Sequence, residues 1–363
     1  YTYVFNNPLK YVDPTGMYGE SGHYYTVLLA AKEAGYSIDD SLRIALYAQL
    51  PDQVGRFDAI NRLTAGPSYE YVPTDRPGYS ARGVYYTAQR VSDENSIEDV
   101  QRGIHVLTGE RAEMVTARAR ALLVSSESIE VAGIAAHALG DSFAHRALGA
   151  EAFTYGTYAG HATDGTVPDS PVVRPELYGE YAKTLVTTLA ERRGAPISAE
   201  QAERFSGSLM AMASAAQSGL QPRLGQVLAD LAQARADLTE GSRLGRDTDQ
   251  AFRRVHRLEG DVHRLLNTGE AGFRDAIAER AGGLVAAESA KGEVMLSPER
   301  HKLGWFAGGK GHEQSHLNEF FQRAQPERRE IDMYARDRDV QTLTDAVKRY
   351  FEDISANFEG RPR

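Results

Sequence analysis

The sequence predicts a mainly helical, all-α protein behind a short β-prone, irregular opening. Three observations carry this reading. From Gly22 onward apolar residues recur at three- and four-residue spacing; beyond Pro196 several such stretches follow one another; and the alternating, turn-punctuated pattern of strands is confined to about the first sixteen residues.

The opening, Tyr1-Thr-Tyr-Val-Phe-Asn-Asn-Pro-Leu-Lys-Tyr-Val-Asp-Pro-Thr-Gly16, reads as two short extended runs separated by an Asn-Pro turn and closed by an Asp-Pro-x-Gly turn. So small a piece has too little core to stand alone. These consecutive positions closely resemble the end of the Rhs repeat-associated core of polymorphic toxins. In that family the segment closes a β-cage, and the chain is cut just after the motif to free a variable C-terminal toxin. The resemblance implies that Asp13 is the aspartate of the self-cleavage motif, that the cut falls after Met17, and that residues from 18 onward are toxin. The cage itself is absent from these 363 residues, so no self-cleavage is expected of this fragment. Implied partners are the N-terminal cage of the full-length protein and a cognate immunity protein. The implied location is that of a secreted effector delivered into a target cell, as in competition between bacteria.

After the opening, Tyr24, Leu28, Leu29 and Ala31 share a broad helical face. Ser37-Ile-Asp-Asp40 predicts the cap of a second helix, Ser41 to Gln49, stopping before Pro51. Residues 62–95, rich in Tyr, Pro and Gly, read as an irregular excursion. A strong helix is predicted from about Ser128 to Arg146, then Gly-, Thr- and Pro-punctuated chain from Leu148 to Pro175, then a helix from Glu176 to Arg193. Stretches 199–216, 222–239, 246–267, 272–290 and 338–358 each have amphipathic helical spacing. The expected organisation is a remnant at 1–17, a helical toxin domain at 18–195, and a helical C-terminal domain or extension at 196–363.

Composition narrows the chemistry. With no cysteine, a disulfide framework, a thiol nucleophile and thiolate metal sites are excluded, so any metal must be held by His and carboxylate. No apolar run approaches the roughly 20 residues of a bilayer span, and no cationic start with an apolar core suggests a signal peptide, so the chain reads as soluble. A net charge of −9 argues against avid binding of a nucleic-acid backbone, which depends on Lys and Arg.

The most informative stretch is Ala136-His-Ala-Leu-Gly-Asp-Ser-Phe-Ala-His-Arg146. On a helix, His137, Asp141 and His145 fall at i, i+4 and i+8 and project from one side of an otherwise small, apolar surface. Polar groups on a buried face must be paired or metal-bound, so the stripe is either a metal site or a satisfied polar network. Further candidate ligands are His23, Asp52, His105, His161 and Asp164.

The order His23, Asp52, His105, His137, Asp141, His145, His161, Asp164 resembles the ligand order of the zinc-dependent phospholipase C and single-strand nuclease superfamily. That resemblance implies two or three zinc ions: Asp52, His105, His137 and Asp141 around one, His23 with bridging Asp141 on a second, and His145, His161 and a carboxylate on a third. The family's last ligand falls where this chain has Gly165, so Asp164 or Asp169 would substitute. Family enzymes also use the mature N-terminal amine, and a cut after Met17 would create one at Tyr18. Asp52 is the candidate proton acceptor, and Arg146 and Arg174 are candidate phosphate holders. Membrane phospholipid is the expected substrate and nucleic acid the less favoured one.

Three alternatives stand beside this reading. One is a nuclease on the same scaffold. Another is a zincin protease using His312, Glu313 and His316 of Gly311-His-Glu-Gln-Ser-His316. The third is a non-catalytic, membrane-disrupting toxin whose histidines are structural. Arg-rich stretches such as Arg323 to Arg338 are interleaved with acids and read as a salt-bridged surface.

Overall fold

Between Val131 and Ala144 every residue is buried, and a helix apolar all round is stable only with neighbours on every side. That helix is the axis of the fold. The computed structural model describes residues 21–53, 57, 70–71, 86–87, 99–157, 167–244, 248–291 and 338–358. Helix accounts for 79% of what is described, which places the protein in the all-α class. The opening segment with Asp13 and Tyr18, the stretch holding His161 and Asp164, and the His312-Glu313-His316 triad lie outside the described residues.

In chain order, a π-helical turn at Ser21–Tyr25 runs into α1, Thr26–Glu33, and α2 spans Ile38–Gln53. Two short strands, β1 (Glu70–Tyr71) and β2 (Tyr86–Thr87), pair antiparallel. A second π-helical turn, Val100–Ile104, precedes α3, Ala112–Ser125, and the axial α4, Ile129–Ala144. A hairpin of β3 (Arg146–Ala147) and β4 (Ala150–Thr154) follows. The helices α5 (Pro175–Arg192), α6 (Ala199–Arg243), α7 (Asp249–Ala290) and α8 (Arg338–Phe358) complete the described chain.

Against α4 pack α2, α3, α5 and α8 together with both π-turns. α6 lies along α5, and α7 runs along α6 until it meets the Ser21–Tyr25 turn and α1. One apolar cluster extends from Tyr24 to Tyr350, so the core is continuous across residue 196. Among the described residues no helix is long and apolar enough to cross a membrane.

Local signals explain the starts of the helices. Ser128 accepts from the Val131 N–H at 3.1 Å and caps α4, and Ser37 accepts from the Asp40 N–H at 3.0 Å ahead of α2 while donating to the Asp40 carboxylate. The ends were harder to read. α2 does not stop before Pro51 but carries it in its last turn, which puts Asp52 on the helix. A proline inside a helix costs about 3 kcal/mol, a cost that burying Leu50 in the core offsets by about 1.5–3 kcal/mol.

The breaks expected after residues 216 and 267 are absent. α6 is one helix of 45 residues and α7 one of 42. Leu220 and Leu224 in α6, and Phe273 in α7, are buried at the expected breaks and hold the turns together. The hairpin after α4 falls in chain that carried only turn signals.

Candidate metal centre

Four segments deliver six side chains to one buried place beside α4. His23 comes from the first π-turn, Asp52 from the last turn of α2, His105 from the residue after the second π-turn, His137 and Asp141 from α4, and His145 from its C-cap. All six are nearly inaccessible, with Asp52 the most exposed at 6%. Both π-turns thus present a histidine, in keeping with the frequent use of such irregular turns at functional sites. Just beyond His105, Val106 has φ of +57°, a conformation that costs a β-branched residue about 1–3 kcal/mol. The reversal there is held by the Leu107 N–H bonding to the Gln101 carbonyl at 2.8 Å.

Hydrogen bonds on the outer ring nitrogens fix where the inner lone pairs point. His137 Nδ1 lies 2.8 Å from the Ala48 carbonyl, His105 Nε2 2.7 Å from the Phe57 carbonyl, and His145 Nδ1 2.6 Å from the His105 carbonyl. A carbonyl can only accept, so these nitrogens carry the protons. In a neutral ring His137 Nε2 and His105 Nδ1 are then acceptors. This backbone anchoring of the outer nitrogen is the usual way a protein orients a metal-ligating imidazole.

The inner atoms form a close trio, His105, His137 and Asp141, with Asp52 beside it. His105 Nδ1 and His137 Nε2 are 3.2 Å apart; Asp141 Oδ2 is 3.2 Å from the first and 3.3 Å from the second; Asp52 Oδ1 is 3.7 and 3.6 Å from them. Donor atoms about 2.0–2.1 Å from a tetrahedral ion lie roughly 3.3–3.4 Å from one another. His105, His137 and Asp141 therefore have the spacing of three corners of a tetrahedral coordination shell, and Asp52 lies beside them, grouped with His23 and His137. Acceptors at these separations must share protons or a cation.

The other carboxylate oxygens turn towards His23, whose Nε2 is 3.0 Å from Asp141 Oδ1 and 3.8 Å from Asp52 Oδ2. Both aspartates thus reach from these rings to His23, whose ring stacks on that of His137 with centroids 4.2 Å apart. At the far end, His145 Nδ1 lies 3.8 Å from Asp141 Oδ2, and its Nε2 lies 3.5 Å from Asp169 Oδ1. These buried His and Asp groups could hold metal ions.

Electrostatics set the histidines apart. Burial, then the neighbouring His23, depress His137 to about 3, overriding the attraction of Asp141, so its ring is neutral. For His145, burial would lower the pKa, but Asp141 and Asp169 outweigh it and raise it to about 9, so this ring is an imidazolium that would have to lose a proton before it could ligate. Asp141 is held well below the usual carboxylate range: burial opposes ionisation, and the charge of His145 leads the interactions that overcome it.

Gly140 lets this assembly close. A methyl group there would lie 3.0 Å from His23 Cε1 and 3.2 Å from the Tyr181 hydroxyl.

The two arginines have different fates. Arg174 donates to the carbonyls of Arg146, Ala144 and Pro168 at 2.9, 2.6 and 2.8 Å. It caps the end of α4 and ties down the loop that carries Asp169, so its donors are committed to the backbone rather than to a phosphate. Arg146 stacks over Phe143, 4.6 Å from the ring centroid, and lines an open groove of about 930 Å³ between α3 and α5. None of the cluster side chains lines that groove.

Asp169, one of two carboxylates offered for the position of Gly165, is brought to His145. Residues that sequence reading passed over also matter. Glu270 of α7 reaches the cluster's edge, and Tyr350 of α8 donates to the Gly103 carbonyl at 2.9 Å, bracing the turn that leads to His105. Glu270 left one signal: a carboxylate three residues before Phe273 and seven before Ile277, on the apolar stripe of its helix.

No protein-family model, curated protein or solved structure matches the chain.

Proposed function

We propose that this chain is a zinc-dependent phosphodiester hydrolase of the phospholipase C-like kind, the toxin portion of an Rhs-type polymorphic toxin, with membrane phospholipid as its substrate. The observation that supports the reading best is the convergence of His105, His137 and Asp141 at the spacing of a coordination shell, with Asp52 and His23 alongside. Bound zinc would supply activation of water near neutral pH and neutralise charge on the phosphoryl oxygens and the leaving group.

The protein's own residues divide the remaining work. Asp141 stands 3.0–3.3 Å from His23, His105 and His137, whereas Asp52 stands 3.6–3.8 Å from the same rings and is the more exposed. We assign Asp141 the role of fixed bridge and Asp52, the looser carboxylate, that of accepting the proton of the attacking water. Arg174 holds the Asp169 loop in place. The opening motif with Asp13 supports release from a cage, and a toxin of this kind calls for an immunity protein in the cell that makes it.

The test is zinc content by mass spectrometry after reconstitution, followed by hydrolysis assays. Wild type should bind two or three ions and release headgroup from phospholipid vesicles, with single-stranded DNA cleaved slowly or not at all. His137→Ala and Asp141→Asn should each weaken zinc binding by more than the roughly 10–100-fold lost when an outer partner is removed, and should abolish hydrolysis. Wild type that binds no zinc would sink the proposal, and cleavage of DNA but not lipid would replace the substrate.

A further inference from the structure

Glu270 is half-buried and shares the face of α7 that carries the buried Val262, Phe273, Ile277 and Ala281. A carboxyl group is expensive to bury there unless it is hydrogen-bonded. Ser21 Oγ donates to its Oε1 at 2.5 Å and Ser170 Oγ to its Oε2 at 2.8 Å. Ser21 is two residues before His23, in the same π-turn, and Ser170 is next to Asp169. One carboxyl group therefore joins the segment that carries His23 to the loop that carries Asp169.

The approach is made close by Gly269. A Cβ at that position would collide with the Leu220 side chain and touch Val172 at 3.4 Å, so any larger residue would hold α7 away from the Asp169 loop. Burial raises the pKa of Glu270, and the hydroxyl donors oppose that rise.

Resting on the reading of the cluster as a metal centre, we propose that Glu270 is a positioning residue for the outer ion-binding positions. By fixing Ser21 against Ser170, it sets His23 and Asp169 at the right distance from Asp141 and His145, and so makes the complete centre depend on α7. The inner group of His105, His137 and Asp141, built from α4 and the residue after the second π-turn, has no contact with Glu270 among the hydrogen bonds described.

Zinc titration calorimetry on the full chain, with cobalt absorption spectra as a check on coordination, tests this. Glu270→Ala should keep one ion at wild-type affinity and bind each further ion roughly 10–100-fold more weakly. Glu270→Gln, whose amide can accept from one serine and donate to the other, should restore binding close to wild type. If Glu270→Ala does not fold, Ser170→Ala, which removes a single hydroxyl, should show the same selective loss. Wild-type binding of every ion by the alanine variants, or no rescue by glutamine, overturns the inference and leaves the metal centre standing. Wild type that binds only one ion also overturns it; wild type that binds none brings down the metal reading as well.

Discussion

Gln49 is fully buried on α2, one turn before Asp52, and among the described residues neither atom of its amide has a hydrogen-bond partner. A buried unsatisfied polar group costs about 1–3 kcal/mol, and methionine fills a similar volume without polar atoms. Gln49→Met should therefore raise unfolding stability by about 1–3 kcal/mol in urea titrations; an unchanged or lower midpoint would show that the amide is satisfied in solution. At this scale the sequence already singled out His137, Asp141 and His145, because their spacing on one helix is a local property. It named His23, Asp52 and His105 only by residue type and order. The carbonyls of Ala48 and Phe57, which aim the lone pairs, carry no side-chain signature at all.

Among the elements, α4 matters most, because it supplies His137 and Asp141 to the buried cluster while being packed on all sides. Gly140→Ala favours the helix by about 1 kcal/mol in intrinsic propensity, yet the added methyl must displace His23 or Tyr181. The variant should keep its helical circular dichroism and bind zinc more weakly, with an altered cobalt spectrum; unchanged binding would show that the His23 turn yields freely.

At the other end of α4, Glu130 is bonded to Arg43 of α2. Burial would raise its pKa, but the α4 backbone N–H, Arg43 and Ser128 together lower it from 4.5. A depressed carboxylate adds stability that is present above its unfolded pKa and is lost as pH falls through the lower, folded value. Glu130→Gln should be less stable than wild type at neutral pH, and the gap should narrow below about pH 4.5, as read from thermal midpoints across that range. The group is partly exposed, so a small difference is expected.

Element starts were legible because Ser37 and Ser128 are local caps. Element ends at Pro51, and the continuity of α6 and α7, were not legible, because Leu50, Leu220, Leu224 and Phe273 decide them by packing against distant chain.

For the whole molecule, a cluster of buried carboxylates and imidazoles is a destabilising feature that bound metal relieves. Ligand that binds only the native state adds about 4 kcal/mol when present at 1,000 times its Kd. Chelation should therefore lower the thermal midpoint, zinc should restore it, and His137→Ala should show much less of this response. A midpoint that ignores chelator would mean that the buried charges are satisfied among themselves.

The sequence by itself determined the helical class, the caps, the exclusion of thiolate chemistry and the His137, Asp141 and His145 stripe of α4, because each follows from composition or from spacing within one element. Tertiary structure alone decided that Asp52, His105 and His23 meet that stripe in one buried cluster, that Arg174 serves the backbone, and that α7 brings Glu270 to the edge of the site. Those outcomes depend on how close separate segments approach, which is set by burial across the core and by glycines such as Gly140 and Gly269, and no periodicity along the chain records it.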